Sequence, residues 1–152
     1  MTGVGLTSVQ REPDVNKDTP LLARPLPAIN EMNDFFWRGG ADGQLRIMRC
    51  DDCRIYFHPY QSACRNCGSV HVGPSPVSGR GVVISVTVNH QPWFPHVPVP
   101  YVVALVELEE QGPVRLVTNM FETPVDAVVP GMKVQVHFEQ HGDIHVPLFR
   151  PA

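Results

Sequence analysis

From residue 78 onward, apolar and polar residues alternate in short runs, and a period of two predicts strands rather than helices. Val82, Ile84, Val86 and Val88 alternate with Ser85, Thr87 and Asn89, the pattern of a half-buried strand. Tyr101 to Leu108 is almost continuously apolar and predicts a central strand covered on both faces. Glu109-Glu110-Gln111-Gly112-Pro113 carries turn chemistry and leads into a strand over Val114 to Met120. Val134, Val136 and Phe138 alternate with Lys133, Gln135 and His137 behind the turn pair Pro130-Gly131, and Val146-Pro147-Leu148-Phe149 adds a last short strand. About five short strands in succession fit a small Greek-key barrel of the OB type, with a two-sheet sandwich as the alternative.

Upstream the period changes. Ile29, Met32 and Phe36 fall at i, i+3 and i+7 with Phe35 beside them, which predicts a helix over Ala28–Arg38, ended by Gly39-Gly40. Such a helix is marginal alone, so Phe35, Phe36 and Trp37 need cover. Their own domain or a second protein could supply it, and the pattern favours neither. Leu45–Met48 and Ile55–Phe57 predict two short strands, and Gly73-Pro74-Ser75-Pro76 a break. The first residues are polar and aperiodic, the signature of a flexible tail, with Thr19-Pro20-Leu21-Leu22 able to open a single helical turn. The resulting division is a tail over 1–24, a helical arm over 25–44, a cysteine-bearing ribbon over 45–73 and a barrel over 74–152, in a mainly β chain.

Composition adds bounds. With 43% hydrophobic residues, a chain of 152 can bury a real core. Its 16 prolines are about twice the average usage and argue for short strands joined by stiff connections. No apolar run approaches the ~20 residues of a membrane span, and no secretory or transit signal is visible, so the cytoplasm is the expected location. The formal charge of −3 gives no general reason to expect nucleic acid.

The four cysteines carry the strongest chemical signal. They fall as two CxxC pairs, Cys50-Asp51-Asp52-Cys53 and Cys64-Arg65-Asn66-Cys67. Each pair can form a knuckle that aims two thiolates at one point, and two knuckles supply four sulfurs for a tetrahedral ion. A reducing cytosol disfavours two disulfides. A thioredoxin-type redox pair would be a single CxxC beside a βαβ unit. Metal ligation remains, with Zn²⁺ ahead of iron. Four thiolates close the coordination sphere, so the ion reads as a staple rather than a catalyst. His58 and His71 lie nearby but have no place in a filled sphere.

One connection stands out. Asn89 to Pro100 holds four prolines, His90, His96, Trp93 and Phe94, a stiff apolar loop at a barrel mouth. It either folds over its own barrel end or presents a surface to a ligand or partner. Catalytic signatures are missing: there is no GxSxG elbow, no HExxH and no phosphate-cradling glycine loop. His137, His141 and His145 would share one face of a helix, but their region reads as strand and turn, so they are expected to be solvated. No catalytic residue is assigned.

The chain resembles the family called domain of unknown function 35, which joins a helical segment, a rubredoxin-like zinc ribbon and an OB-fold. The matching stretches include Phe36-Trp37, Gly43-Gln44-Leu45, Arg49-Cys50-Asp51-Asp52-Cys53, Cys64-Arg65-Asn66-Cys67-Gly68-Ser69, Ser78-Gly79-Arg80-Gly81-Val82-Val83, Pro100 to Val106, Gly131-Met132-Lys133-Val134 and Pro147-Leu148-Phe149-Arg150-Pro151. Arg54 departs from the glycine common after the first pair, and His58-Pro59-Tyr60 from a more usual Pro-Pro-Arg. The resemblance implies a non-catalytic accessory subunit of a hetero-oligomer. Its partner would be a thiolase-fold aldolase, lyase or thiolase acting on acyl-CoA, as in steroid side-chain degradation, with a MaoC-like hydratase as a further associate. It also implies that the OB-fold helps line the route of the acyl-CoA. On this reading Phe35, Phe36 and Trp37 are the partner-binding candidates, and His90, Trp93, Phe94 and His96 form the ligand or partner loop. The competing module is a single-stranded nucleic-acid binder. From Arg80 to Ala152, four Lys/Arg face seven Asp/Glu, where a groove tracking phosphates would be basic.

Overall fold

The computed structural model describes residues 24–152. The expected tail over 1–24, with its turn at Thr19–Leu22, lies outside the described residues apart from Arg24. The described chain is mainly β, with eight strands in two antiparallel sheets and one short helix ahead of them.

The helix α1 spans only Asp34–Arg38, shorter than the periodicity predicts. Two asparagines explain the late start. Asn30 N–H donates to Asn33 Oδ1, Met32 N–H to Asn30 Oδ1, and Asn33 Nδ2 to the Ala28 carbonyl, so side chains take the bonds that a helix would need. At the other end Gly39-Gly40 does not stop the chain turning: a 3-10 turn continues over Gly39–Asp42 and closes at Gly43, φ 74°. Gly40 is there for close packing, because a Cβ on it would lie 2.5 Å from His145 Cβ and from the Phe138 ring.

The first sheet holds β1 (Leu45–Cys50), β2 (Tyr56–Phe57) and β3 (Val72–Val77) in the order β2-β1-β3. β3 corrects the expected break at Gly73–Pro76, and it runs across residues 73 and 74. Pro74 and Pro76 sit two apart in register with Met48 and Arg46, so both missing N–H groups fall on the outer side of an edge strand, where no ladder bond is lost.

The second sheet is the barrel: β4 (Arg80–Asn89), β5 (Tyr101–Leu108), β6 (Arg115–Asn119), β7 (Lys133–His141) and β8 (Ile144–Pro151), ordered β6-β5-β4-β7-β8. It closes where Met120, just after β6, bridges Phe149 of β8 in parallel and Phe121 N–H donates to the Phe149 carbonyl at 2.7 Å. Around the barrel the strands therefore run β4-β5-β6-β8-β7, a meander of three followed by a hairpin that seals it, which is the OB arrangement.

Two details of the expected alternation change. In β4 the register shifts between Val83 and Ser85, leaving Ile84 as a bulge. A bulge reverses the phase, so Gly81 and Val83 face the core before it, Val86 and Val88 after it, and Ile84 lies exposed. β5 alternates instead of being covered on both faces: Val102, Ala104, Val106 and Leu108 are buried, while Val103 and Leu105 are half-buried on the outside. Phe36 joins these residues with Leu45, Ile47, Leu116, Val134 and Phe149 in one core, so α1 and β1 complete the barrel's packing. Among the described residues no helix is long and apolar enough to cross a membrane.

Candidate metal centre and adjoining apolar cavity

The two knuckles are built alike. After Cys50 the chain turns so that Arg54 N–H donates to the Cys50 carbonyl at 3.0 Å; after Cys64, Gly68 N–H donates to the Cys64 carbonyl at 2.9 Å. The residue following each pair takes a left-handed backbone, Arg54 at φ 67° and Gly68 at φ 75°. This is why glycine suits both positions and why arginine at the first is the strained choice. Amides turn inward at the sulfurs: Cys53 N–H approaches Cys50 Sγ at 3.5 Å and Asn66 N–H approaches Cys64 Sγ at 3.4 Å.

The four sulfurs converge within 4.8 Å of one another. Cys50 and Cys67 Sγ are 3.6 Å apart and Cys53 and Cys64 Sγ 3.5 Å apart. A tetrahedron of thiolates with bonds of about 2.3 Å has edges of about 3.8 Å, so the set fits a divalent ion closely and is too open for disulfides. Electrostatics agree. The Ile55 backbone N–H, with Asn66 and the neighbouring thiols, brings the Cys53 thiol down to about 6. At Cys67 a backbone bond from Ser69 favours the thiolate, but the Cys53, Cys50 and Cys64 sulfurs outweigh it and push the thiol up to about 12. Four negative charges cannot share this space without a cation. Cys50, Cys53, Cys64 and Cys67 would hold that ion, and it would supply cross-linking and charge, with no ligand position left over. Cys50 and Cys64 are buried and Cys67 is exposed. His71 stands outside the set, 3.4 Å from Asp52. His58 packs on the Phe36 ring with centroids 4.8 Å apart, and burial lowers its pKa.

The aromatic candidates divide. Phe36 is buried, with 7% of its surface accessible, in the chain's own core. Phe35 and Trp37 are half-buried against it. Trp93 and Phe94 are 69% and 46% exposed, and His90 and His96 are exposed beside them. The loop is nonetheless held: Trp93 Nε1 donates to Asn89 Oδ1 at 3.1 Å, and Asn89 Nδ2 to the Gln91 carbonyl at 2.7 Å.

Trp37 and Phe94, far apart in sequence, meet at one cavity of about 460 Å³, with Pro25, Tyr101 and Met120 among its apolar walls and Arg24 and Asn119 as its polar ones. Arg24 Nε lies 2.8 Å from Glu139 Oε1, and Arg24 Nη1 donates to Asn119 Oδ1 at 3.0 Å. His141 Nε2 is 2.7 Å from the same Glu139 oxygen. Burial alone would raise the Glu139 carboxyl, but the bonds from His141 and Arg24 hold it below the usual carboxylate range. Sequence reasoning missed this cluster. Its members lie on three separate segments, and no local spacing links them.

The three histidines expected to be solvated are not. His137 stacks on Phe121 at 3.8 Å, His141 keeps 8% of its side chain exposed, and His145 is buried under Gly40. The β7–β8 hairpin runs longer than the apolar alternation suggests, and it carries all three into the packed ladder.

The comparisons with known proteins agree with this architecture. Residues 37–71 match the family described as ChsH2, rubredoxin-like zinc ribbon domain, and residues 75–139 match ChsH2, C-terminal OB-fold domain. Among solved structures, the chain is similar to a chain of the "Ltp2-ChsH2(DUF35) aldolase" with a TM-score of 0.74 and 38% identity, covering 83% of this chain and 98% of that one. A DUF35-family protein of unknown function from Sulfolobus solfataricus shares the fold, with a TM-score of 0.58, 16% identity and coverage of 81% and 87%. Among curated proteins, a probable enoyl-CoA hydratase alpha subunit of Thermomonospora curvata is 37% identical over 93% of this chain and 44% of its own length. The 3-oxo-4,17-pregnadiene-20-carboxyl-CoA hydratase alpha subunit of Mycobacterium tuberculosis is 34% identical over 82% of this chain and 39% of its own. The chain thus spans less than half the length of the curated relatives it matches.

Proposed function

The chain belongs to the ChsH2 (DUF35) family, and from that premise we propose that it is a non-catalytic accessory subunit of a thiolase-fold aldolase. The complex cleaves a carbon–carbon bond in an acyl-CoA by a retro-aldol reaction, with a steroid side-chain thioester as the substrate class. The carrying observation is the likeness, over 83% of this chain and 98% of that one, to a chain of the Ltp2-ChsH2(DUF35) aldolase. A closed four-sulfur centre supports the same reading, since it offers no position for a substrate. In this reading zinc fills the centre, and the cavity beside Trp37 and Phe94 lies toward the acyl-CoA route. Phe35, Trp37, Trp93 and Phe94 are the accessible aromatics for the partner, while Phe36 contributes by fixing α1.

Co-expression with a thiolase-like partner tests this. The two are expected to co-purify as a hetero-oligomer, to contain one zinc per copy of this chain, and to cleave the CoA thioester only together. A fully active isolated chain would overturn the proposal, and a red, iron-loaded protein would overturn the zinc assignment. The hydratase names of the two curated relatives favour a second reading, in which this chain serves a hydratase. Hydration of an enoyl-CoA by the same complex, with no cleavage, is the outcome that selects it.

A further inference from the structure

The cluster Arg24–Glu139–His141 sets a partly buried ion pair and an imidazole beside apolar walls. Arg24 keeps 28% of its side chain exposed, Glu139 17% and His141 8%, so a charged pair and an imidazole are drawn out of water beside an apolar cavity. Burying an ion pair is often neutral or unfavourable against an apolar replacement. The arrangement is also unfinished. Arginine has five N–H donors. Nε lies 2.8 Å from Glu139 Oε1 as an ion pair, Nη2 donates to Glu139 Oε2 at 3.4 Å and Nη1 to Asn119 Oδ1 at 3.0 Å. Two N–H groups are left without a partner among the described residues, on a side chain that lines the cavity. The orientation is fixed from behind, because Asn119 Nδ2 is itself committed to the Val102 carbonyl at 2.7 Å.

We infer that this cavity is a binding site for an apolar molecule ending in a neutral acceptor oxygen, a ketone or ester carbonyl, with Arg24 as its hydrogen-bond donor. The apolar body lies against Trp37, Phe94, Tyr101 and Met120. A volume of about 460 Å³ lies in the range of small-molecule sites, which are apolar with a few placed polar groups. Charge decides between acceptors. Glu139 already cancels Arg24, so a ligand carboxylate would meet no uncompensated cation; a carbonyl needs only the spare donors. The inference concerns the isolated chain and does not depend on the aldolase partner.

The test uses the full chain, metal-replete, titrated with the fluorescent naphthyl ketone prodan. Saturable binding with blue-shifted emission is expected, and 2-decanone is expected to displace the probe far better than decanoate. The double substitution Arg24→Met with Glu139→Gln keeps the charge balance and removes the donors, and it is expected to weaken prodan binding about ten-fold. Val97→Trp, on the loop lining the cavity, is expected to abolish binding while leaving metal content unchanged. No saturable binding, decanoate competing as well as the ketone, or an unaffected double variant would each overturn the inference. All three are read without the partner, so a failure here leaves the accessory role standing, and a chain that binds prodan but activates no aldolase leaves this site standing.

Discussion

The ribbon and the barrel are folded by different forces. The ribbon's own cluster of buried side chains is Met48, Cys50, Phe57 and Cys64, and two of those four are sulfurs of the metal centre. Its sheet is small, with a two-residue β2 on one edge and the proline-bearing β3 on the other. A core that size cannot offset the entropy of ordering the knuckles, so the ion must contribute folding energy directly. The barrel's core is larger and contains no metal ligand. Its strands form a closed ladder, and Val83, Val106, Val134 and Phe149 are wholly buried within it. The two are joined at more than one place: Gln111 of the β5–β6 turn accepts from Tyr56 N–H at 2.9 Å and donates to the Tyr56 carbonyl at 3.3 Å, acting as a partner for β2's free edge. A small module built around a metal centre is thus pinned to a larger apolar one.

That contrast can be broken in graded steps. Chelation, or Cys64→Ala, is expected to remove on the order of 10 kcal/mol from the ribbon. Hydrogen exchange should then rise across β2 and the Met48–Cys50 end of β1 while β5 stays protected; loss of protection in both sheets together would show one cooperative unit. Phe149→Ala is expected to cost about 3–5 kcal/mol in the barrel, read by chemical denaturation, with metal content unchanged. Gly40→Ala drives a methyl into His145 and Phe138 and is expected to cost about 1–3 kcal/mol, seen as a lowered Tm.

The smallest effects sharpen the contrast on the ribbon's side. Burial holds His58 below its ordinary 6.5, so as pH falls through that value the unfolded chain gains a proton that the folded chain refuses. Its contribution is therefore full above about pH 6.5 and declines as pH drops toward the folded pKa. His58→Phe, which keeps the packing on Phe36, is expected to flatten the stability profile in that window; an unchanged profile would show that other groups set it. Arg54→Gly relieves a left-handed backbone and is expected to stabilise the first knuckle by about 0.5–1 kcal/mol.

Much of this was legible in the residues, and the exceptions share a cause. The two CxxC pairs and the strand alternation report directly, since spacing of two or three residues encodes them. What escaped depends on contacts between segments. The prolines of β3 look like a break until β1 is beside them. Ile84 looks inward-facing until the bulge reverses the phase. Gly39-Gly40 looks like a stop until His145 is seen against it, and Ala28–Arg38 looks fully helical until Asn30 and Asn33 take its first bonds. The cavity joins residues as distant as Arg24, Phe94 and Val146, which no local pattern connects.

If the metal folds the ribbon while the proposed partner performs the chemistry, replacing zinc by cobalt in the assembled complex should leave turnover untouched. The absorption of a tetrahedral cobalt–thiolate site is then expected together with unchanged turnover of the acyl-CoA. Turnover that changes with the identity of the ion, in a complex of unchanged composition, would contradict it.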